Sequence, residues 1–159
     1  MELSRIVIVD KLPDAIVVEA DAAECAALAE RLRIVEVQSL TCRFSLRRHG
    51  NTVEAEGALD AAVLQSCVVT LDPVAQRVAE RFVILFVPAG REPEDGDDPD
   101  SPDHIPYEGR SIDLGEAAAE QLALALDPYP RSPGAILDPA AQDPAEGGFA
   151  GLSILRPKK

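Results

Sequence analysis

The chain predicts an α+β fold: an antiparallel β-meander or partial barrel packed with two amphipathic helices, carrying a long acidic loop and an extended Pro-rich C-terminal tail. Three observations carry that expectation. Apolar residues recur with a period of two from Ile34 to Leu46 and further strand-like runs follow as far as Val87, two segments join a helix-capping start to a helical apolar stripe, and no internal repeat divides the chain. At 159 residues, 47% of them hydrophobic, it is long enough to bury one core without a disulfide or a metal. Residues 1–134 read as one domain and residues 135–159 as its tail.

The elements follow in order. Ile6–Val9 and Ala15–Val18 are short β-branched runs around a segment ending in turn residues, and they read as strands or extended segments. Asp21 with Glu24 three residues on has capping-box spacing, and Cys25, Leu28, Ala29 and Leu32 then share one face. A helix of roughly Ala22 to Leu32 results. From Ile34 the period is two, with a phase break at Ser39-Leu40 that predicts a bulge or a bend. Gly50-Asn51 makes a two-residue hairpin loop, which sets His49 opposite Thr52, Arg47 opposite Glu54, and Phe44 over Gly57. A third run, Ala62 to Leu71, places Val63, Cys67, Val69 and Leu71 on one face. A fourth covers Arg77 to Val87, with the turn between them at Asp72-Pro73.

Asp113 and Glu116 repeat the capping-box spacing ahead of a stripe of Ala118, Gln121, Leu122 and Ala125, and Asp127-Pro128 stops this second helix. Beyond it the chain is proline-rich and extended. Its Phe149–Leu155 stretch has enough apolar residues for a short edge strand.

The net charge is −13, and residues 91–110 alone carry −6. That stretch holds Glu92, Glu94, Asp95, Asp97, Asp98, Asp100, Asp103 and Glu108, four prolines, and only Ile105 and Tyr107 as large apolar residues. It reads as a mobile acidic loop, because so little apolar area cannot offset the entropy of ordering it. An acidic surface fits a basic protein partner and opposes autonomous binding of nucleic acid. The one basic grouping is Arg43, Arg47 and Arg48 with His49 at the hairpin, balanced by Glu54 and Glu56 on the next strand. It is the candidate for a direct contact with RNA.

Catalytic chemistry finds little footing. Two histidines, His49 and His104, fall at exposed positions, and Ser66-Cys67 lacks the elbow and oxyanion loop of a nucleophile. No Gly-rich phosphate loop is present, so no cofactor is expected. Asp95, Asp97 and Asp98 lack the sixth-position glycine and terminal glutamate of a calcium loop, so no metal site is expected either. Cys25, Cys42 and Cys67 are an odd number without a close pair, as for reduced buried thiols. No export signal opens the chain and no apolar run approaches the ~20 residues of a membrane helix. A cytoplasmic protein that does not engage a membrane is expected.

Three blocks occur in a recognisable order: Ser66-Cys67-Val68-Val69-Thr70-Leu71-Asp72-Pro73-Val74, then Ser111-Ile112-Asp113-Leu114-Gly115-Glu116, then Glu120 to Arg131 with Pro128-Tyr129-Pro130 at its exit. From the first helix to about Gly134 the chain resembles the YceD family, bacterial and plastid proteins named for large ribosomal RNA subunit accumulation. The resemblance singles out Cys67, Asp113, Leu114, Glu120 and Pro128. The family's strand block commonly reads Cys-x-Arg-Cys-Leu, whereas this chain has Cys67-Val68-Val69-Thr70-Leu71 and keeps only the first cysteine. That departure speaks against a metal role here. The resemblance implies a non-catalytic ribosome-biogenesis factor that supports accumulation of large-subunit (23S) rRNA. Its expected partner is a basic ribosomal protein or a large-subunit assembly intermediate, since family genes often lie beside that of a small basic large-subunit protein. Direct binding of rRNA through the arginine hairpin is the alternative.

Overall fold

Alternation of apolar and polar residues over three long segments produces the body of the protein. The computed structural model describes residues 2–92 and 98–135. Its central strands are β3 (Glu36–His49), β4 (Thr52–Ser66) and β5 (Pro73–Pro88), an antiparallel meander. Two more strands extend it, β2 (Ala15–Glu19) antiparallel to β3 and β6 (Asp103–Tyr107) parallel to β5, in the order β2-β3-β4-β5-β6. The sheet is not closed, and the parallel β6 makes it mixed around its antiparallel meander. A separate antiparallel pair joins β1 (Ile6–Ile8) to β7 (Ser111–Asp113). Among the described residues no helix is long and apolar enough to cross a membrane. The tail from residue 136 onward, with Phe149–Leu155, lies outside the described residues.

The hairpin register is the one that Gly50-Asn51 dictates: His49 faces Thr52, Arg47 faces Glu54, and Phe44 faces Gly57. The bulge falls between Val37 and Ser39. Gly57 is needed for room. A Cβ there would run into the ring of Phe82, the β5 residue opposite it, and that ring meets Phe44 edge-on with centroids 5.8 Å apart. The aromatic lying over the glycine is therefore Phe82, while Phe44 packs beside it in the core.

Three expectations are corrected. The second and third runs are one continuous strand, β4, because Gly57–Ala62 is poor in β-formers yet pairs on both sides. That strand ends at Ser66, and Cys67–Asp72 is a turn in which Leu71 adopts a left-handed φ of 62° and stands 77% exposed. Finally, residues 103–107 of the acidic stretch are not loop but β6, with Ile105 opposite Phe86 on the free edge of β5. Ladder hydrogen bonds add to what two half-buried apolar side chains supply, and Pro106 is tolerated on an edge strand.

Helix α1 (Ala22–Leu32) has both bonds of its capping box, and it buries Cys25, Leu28 and Ala29. Helix α2 (Leu114–Ala125) buries Leu114, Gly115, Ala117, Ala118, Ala119 and Leu122, a mostly small-residue face that allows close approach. Its capping differs from expectation. Asp113 accepts from the N–H groups of Gly115 and Glu116, but the Glu116 carboxylate is taken by Arg31 of α1 at 2.6 and 2.9 Å. Arg31 also reaches Glu2, so one guanidinium ties α1, α2 and the N-terminal segment together. A second clamp runs from Arg5 to both oxygens of Glu24 at 2.7 and 2.9 Å, which with the capping bond to Asp21 holds the Glu24 carboxyl down at about 2.

Candidate functional site

The arginine hairpin does not form one patch. Arg48 is engaged by its own chain at the surface, its guanidinium 3.2 Å from Asp10 and 2.7 Å from the carbonyl of Gly50. Arg47 sits 3.9 Å from Glu54, the expected cross-strand partner. Arg43 is brought instead beside a residue that proximity in sequence does not suggest. Ala58 is opposite Arg43 on one side and opposite Arg81 on the other, so the two guanidinium stems rise from one face with an alanine between them, about 10 Å apart at two strand spacings. They line a shallow depression of about 600 Å³ with Ala15, Ser45, Glu56 and Val83. Among the described residues neither Arg43 nor Arg81 makes an ion pair. The sheet register was the signal that would have found Arg81.

The acidic segment is partly organised by its own carboxylates. Glu92 accepts from the N–H of Gly90 and Asp98 from that of Asp100, each at 3.0 Å, the local side-chain turns expected of such residues. Asp103 opens β6 opposite Ile84, and His104, at an exposed loop position by sequence, is half-buried within that strand. Glu94, Asp95 and Asp97 lie outside the described residues. Among the described residues no group of three or more His, Cys, Asp or Glu side chains is placed to hold a metal ion.

The residues of the resembling blocks converge at two places. At the first, Asp113 receives four hydrogen bonds, from Ser4 Oγ (2.6 Å) and the N–H groups of Arg5 (2.7 Å), Gly115 (2.9 Å) and Glu116 (3.2 Å). Burial alone would raise its pKa, but those donors outweigh it and hold the carboxyl below its ordinary value. Leu114 beside it is fully buried, while Glu120, one turn and a half further along α2, is exposed.

The second place is Cys67. It is buried, as expected, but in a turn rather than in a strand. Its sulfur accepts from the N–H groups of Val69 and Thr70 at 3.4 Å, and from the N–H and hydroxyl of Ser132 at 3.3 and 3.5 Å. Val68 N–H meanwhile donates to the carbonyl of Pro130 at 2.9 Å. The exit through Pro128 is thus laced to the Cys67 turn. The donors of Thr70 and then Ser132 bring the Cys67 thiol from an ordinary 9.0 down to about 6, whereas burial alone pushes Cys42 up to about 12. A pKa lowered on folding stabilises fully above the unfolded value and is lost as pH falls through the folded one. In urea melts the stability gap between the wild type and Cys67→Ala is therefore expected to widen from pH 5 to pH 9. A gap that stays constant would remove the thiolate from the account.

Among proteins of known sequence, the family model for the large ribosomal RNA subunit accumulation protein YceD matches residues 55–148. No curated protein and no solved structure matches the chain. The match begins inside β4, later than the resemblance by motif, so it takes in Cys67, Arg81, Asp113, Leu114, Glu120 and Pro128 and leaves out Arg43, Arg47 and Arg48. With more than half of the chain covered, and with the Cys67 turn, the Asp113 cap and the Pro128 exit all inside that span, the chain belongs to the YceD family.

Proposed function

We propose that this protein is a non-catalytic cytoplasmic ribosome-biogenesis factor that supports accumulation of large-subunit rRNA by binding a basic ribosomal protein or an assembly intermediate containing one. The family's name supplies the connection to large-subunit rRNA. The observation that carries the choice of partner is the distribution of ion pairs. Arg5, Arg31, Arg47, Arg48, Arg77 and Arg110 all face carboxylates of the same chain. Acids such as Asp100, Glu108 and Glu120 are exposed and have no cation opposite among the described residues. The surface charge left over is negative, and it attracts a cationic partner and steers its approach.

A second reading, direct contact with rRNA, is favoured by Arg43 and Arg81, two guanidiniums on an open sheet face that make no ion pair among the described residues. Fluorescence anisotropy separates the two. Titrated against a small basic large-subunit ribosomal protein and against a 23S rRNA fragment over a salt series, the protein is expected to bind the basic protein more tightly, with an affinity that falls as salt rises. Preference for the RNA, lost on joint replacement of Arg43 and Arg81, reverses the order of the readings.

A further inference from the structure

A groove of about 210 Å³ runs between β6 and the N-terminal half of α2. Its walls are apolar: Phe86 and Ala117 at the base, Ile105 and Tyr107 from β6, and Ile112 from β7. Tyr107 is fixed in place because its hydroxyl donates to the carbonyl of Asn51 at the hairpin tip. Four carboxylates border the groove, and two are already engaged, Asp113 by the helix cap and Glu116 by Arg31. Glu108 and Glu120 remain, both exposed and without an ion pair among the described residues.

An apolar channel of single-side-chain size with carboxylates at its mouth is complementary to one class of residue, a long methylene stem ending in a cation. We infer that this groove takes a Lys or Arg side chain of the basic partner, its stem against Tyr107, Ile105 and Ala117 and its charge between Glu108 and Glu120. The inference rests on the proposed reading and gives it an address. It separates that address from residues 92–103: the anchoring contact lies on α2 and β6, and the remaining acids act at longer range by steering.

The probe is a fluorescein-labelled peptide of alternating lysine and glycine, titrated into the full chain at low salt. Glu108→Gln with Glu120→Gln is compared with Glu30→Gln with Glu36→Gln, which removes the same charge from exposed positions elsewhere. Two partly exposed ion pairs are together worth roughly a threefold to tenfold change in affinity, so the groove variant is expected to bind that much more weakly than the control. Amide shifts on titration are expected to centre on Tyr107, Ala117 and Glu120. Equal weakening in the two variants, or shifts centred elsewhere, overturns the groove while leaving a cationic partner in place. A wild-type chain that does not bind the peptide at all overturns the cationic reading itself.

Discussion

Replacing Asp113 with alanine is expected to destabilise the protein by about 2–4 kcal/mol, from ~1–2 for the lost helix cap and ~1–2 for part-buried donors left without an acceptor. Four donors lose their acceptor at once, two from the first turn of α2 and two from the N-terminal segment at Ser4 and Arg5. At roughly 2–4 °C per kcal/mol for a domain of this size, Tm falls by about 4–16 °C. Asp113→Asn, which keeps the cap oxygen, recovers most of the loss. Because folding lowers the Asp113 pKa, the carboxylate stabilises the fold above its ordinary 3.8 and ceases to do so as pH falls through the folded value, so the alanine penalty shrinks in acid. Urea melts followed by circular dichroism measure this. An alanine variant within about 0.5 kcal/mol of the wild type, the scatter of ordinary surface changes, would show that the cap does not secure this seam.

Gly115→Ala is expected to destabilise as well, against the direction of helix propensity. In an exposed helix the change would gain about 1 kcal/mol. Here a Cβ would stand 2.8 Å from Arg5 N and from Ser4 Cα and 2.9 Å from the carbonyl carbon of Leu3. All three are backbone atoms, so the N-terminal segment itself must retreat, loosening fully buried Leu3 and the bond from Arg5 N–H to Asp113. Overpacking that shifts backbone costs about 1–3 kcal/mol, so after the propensity gain of about 1 kcal/mol a net loss of up to roughly 2 kcal/mol is the expected result. Faster proteolytic cleavage near Arg5 in the otherwise folded protein accompanies it. Gly57→Ala meets a side chain and not backbone, but the Phe82 ring can yield only by leaving its packing against Phe44, so this change too is expected to destabilise. A Gly115→Ala variant more stable than the wild type defeats the argument.

What could be read in advance divides along a physical line. The helix α1 boundaries, both bonds of its capping box, the hairpin register and the bulge near Ser39 follow from interactions within a few residues or from the period of the pattern. Local rules failed where the partner came from far along the chain. Glu116 has capping-box spacing, yet Arg31, 85 residues away, claims it, because a bidentate ion pair outcompetes a single bond to an exposed backbone donor. Cys67 was legible as a buried thiol, but its acceptor role depends on Ser132, 65 residues later. The candidate binding residues fared in the same way. Arg43, Arg47 and Arg48 are neighbours in sequence, yet the pleat of β3 turns Arg48 to the opposite face from Arg43 and Arg47, and the register across β4 brings Arg81 beside Arg43.

Residues 91–110 show the limit most plainly. Averaged over twenty positions, their composition argues against order, and that average conceals five residues with an edge to pair with. The amino-acid sequence by itself determined the fold class, both helices, the hairpin and membership of the family, because each rests on periodicity, capping or motif order. Which charges remain unneutralised, where the groove between β6 and α2 opens, and what holds Cys67 were decided only by the tertiary structure. Those properties belong to pairs of residues far apart in the chain, and their closeness is fixed by the packing of the whole sheet against its helices.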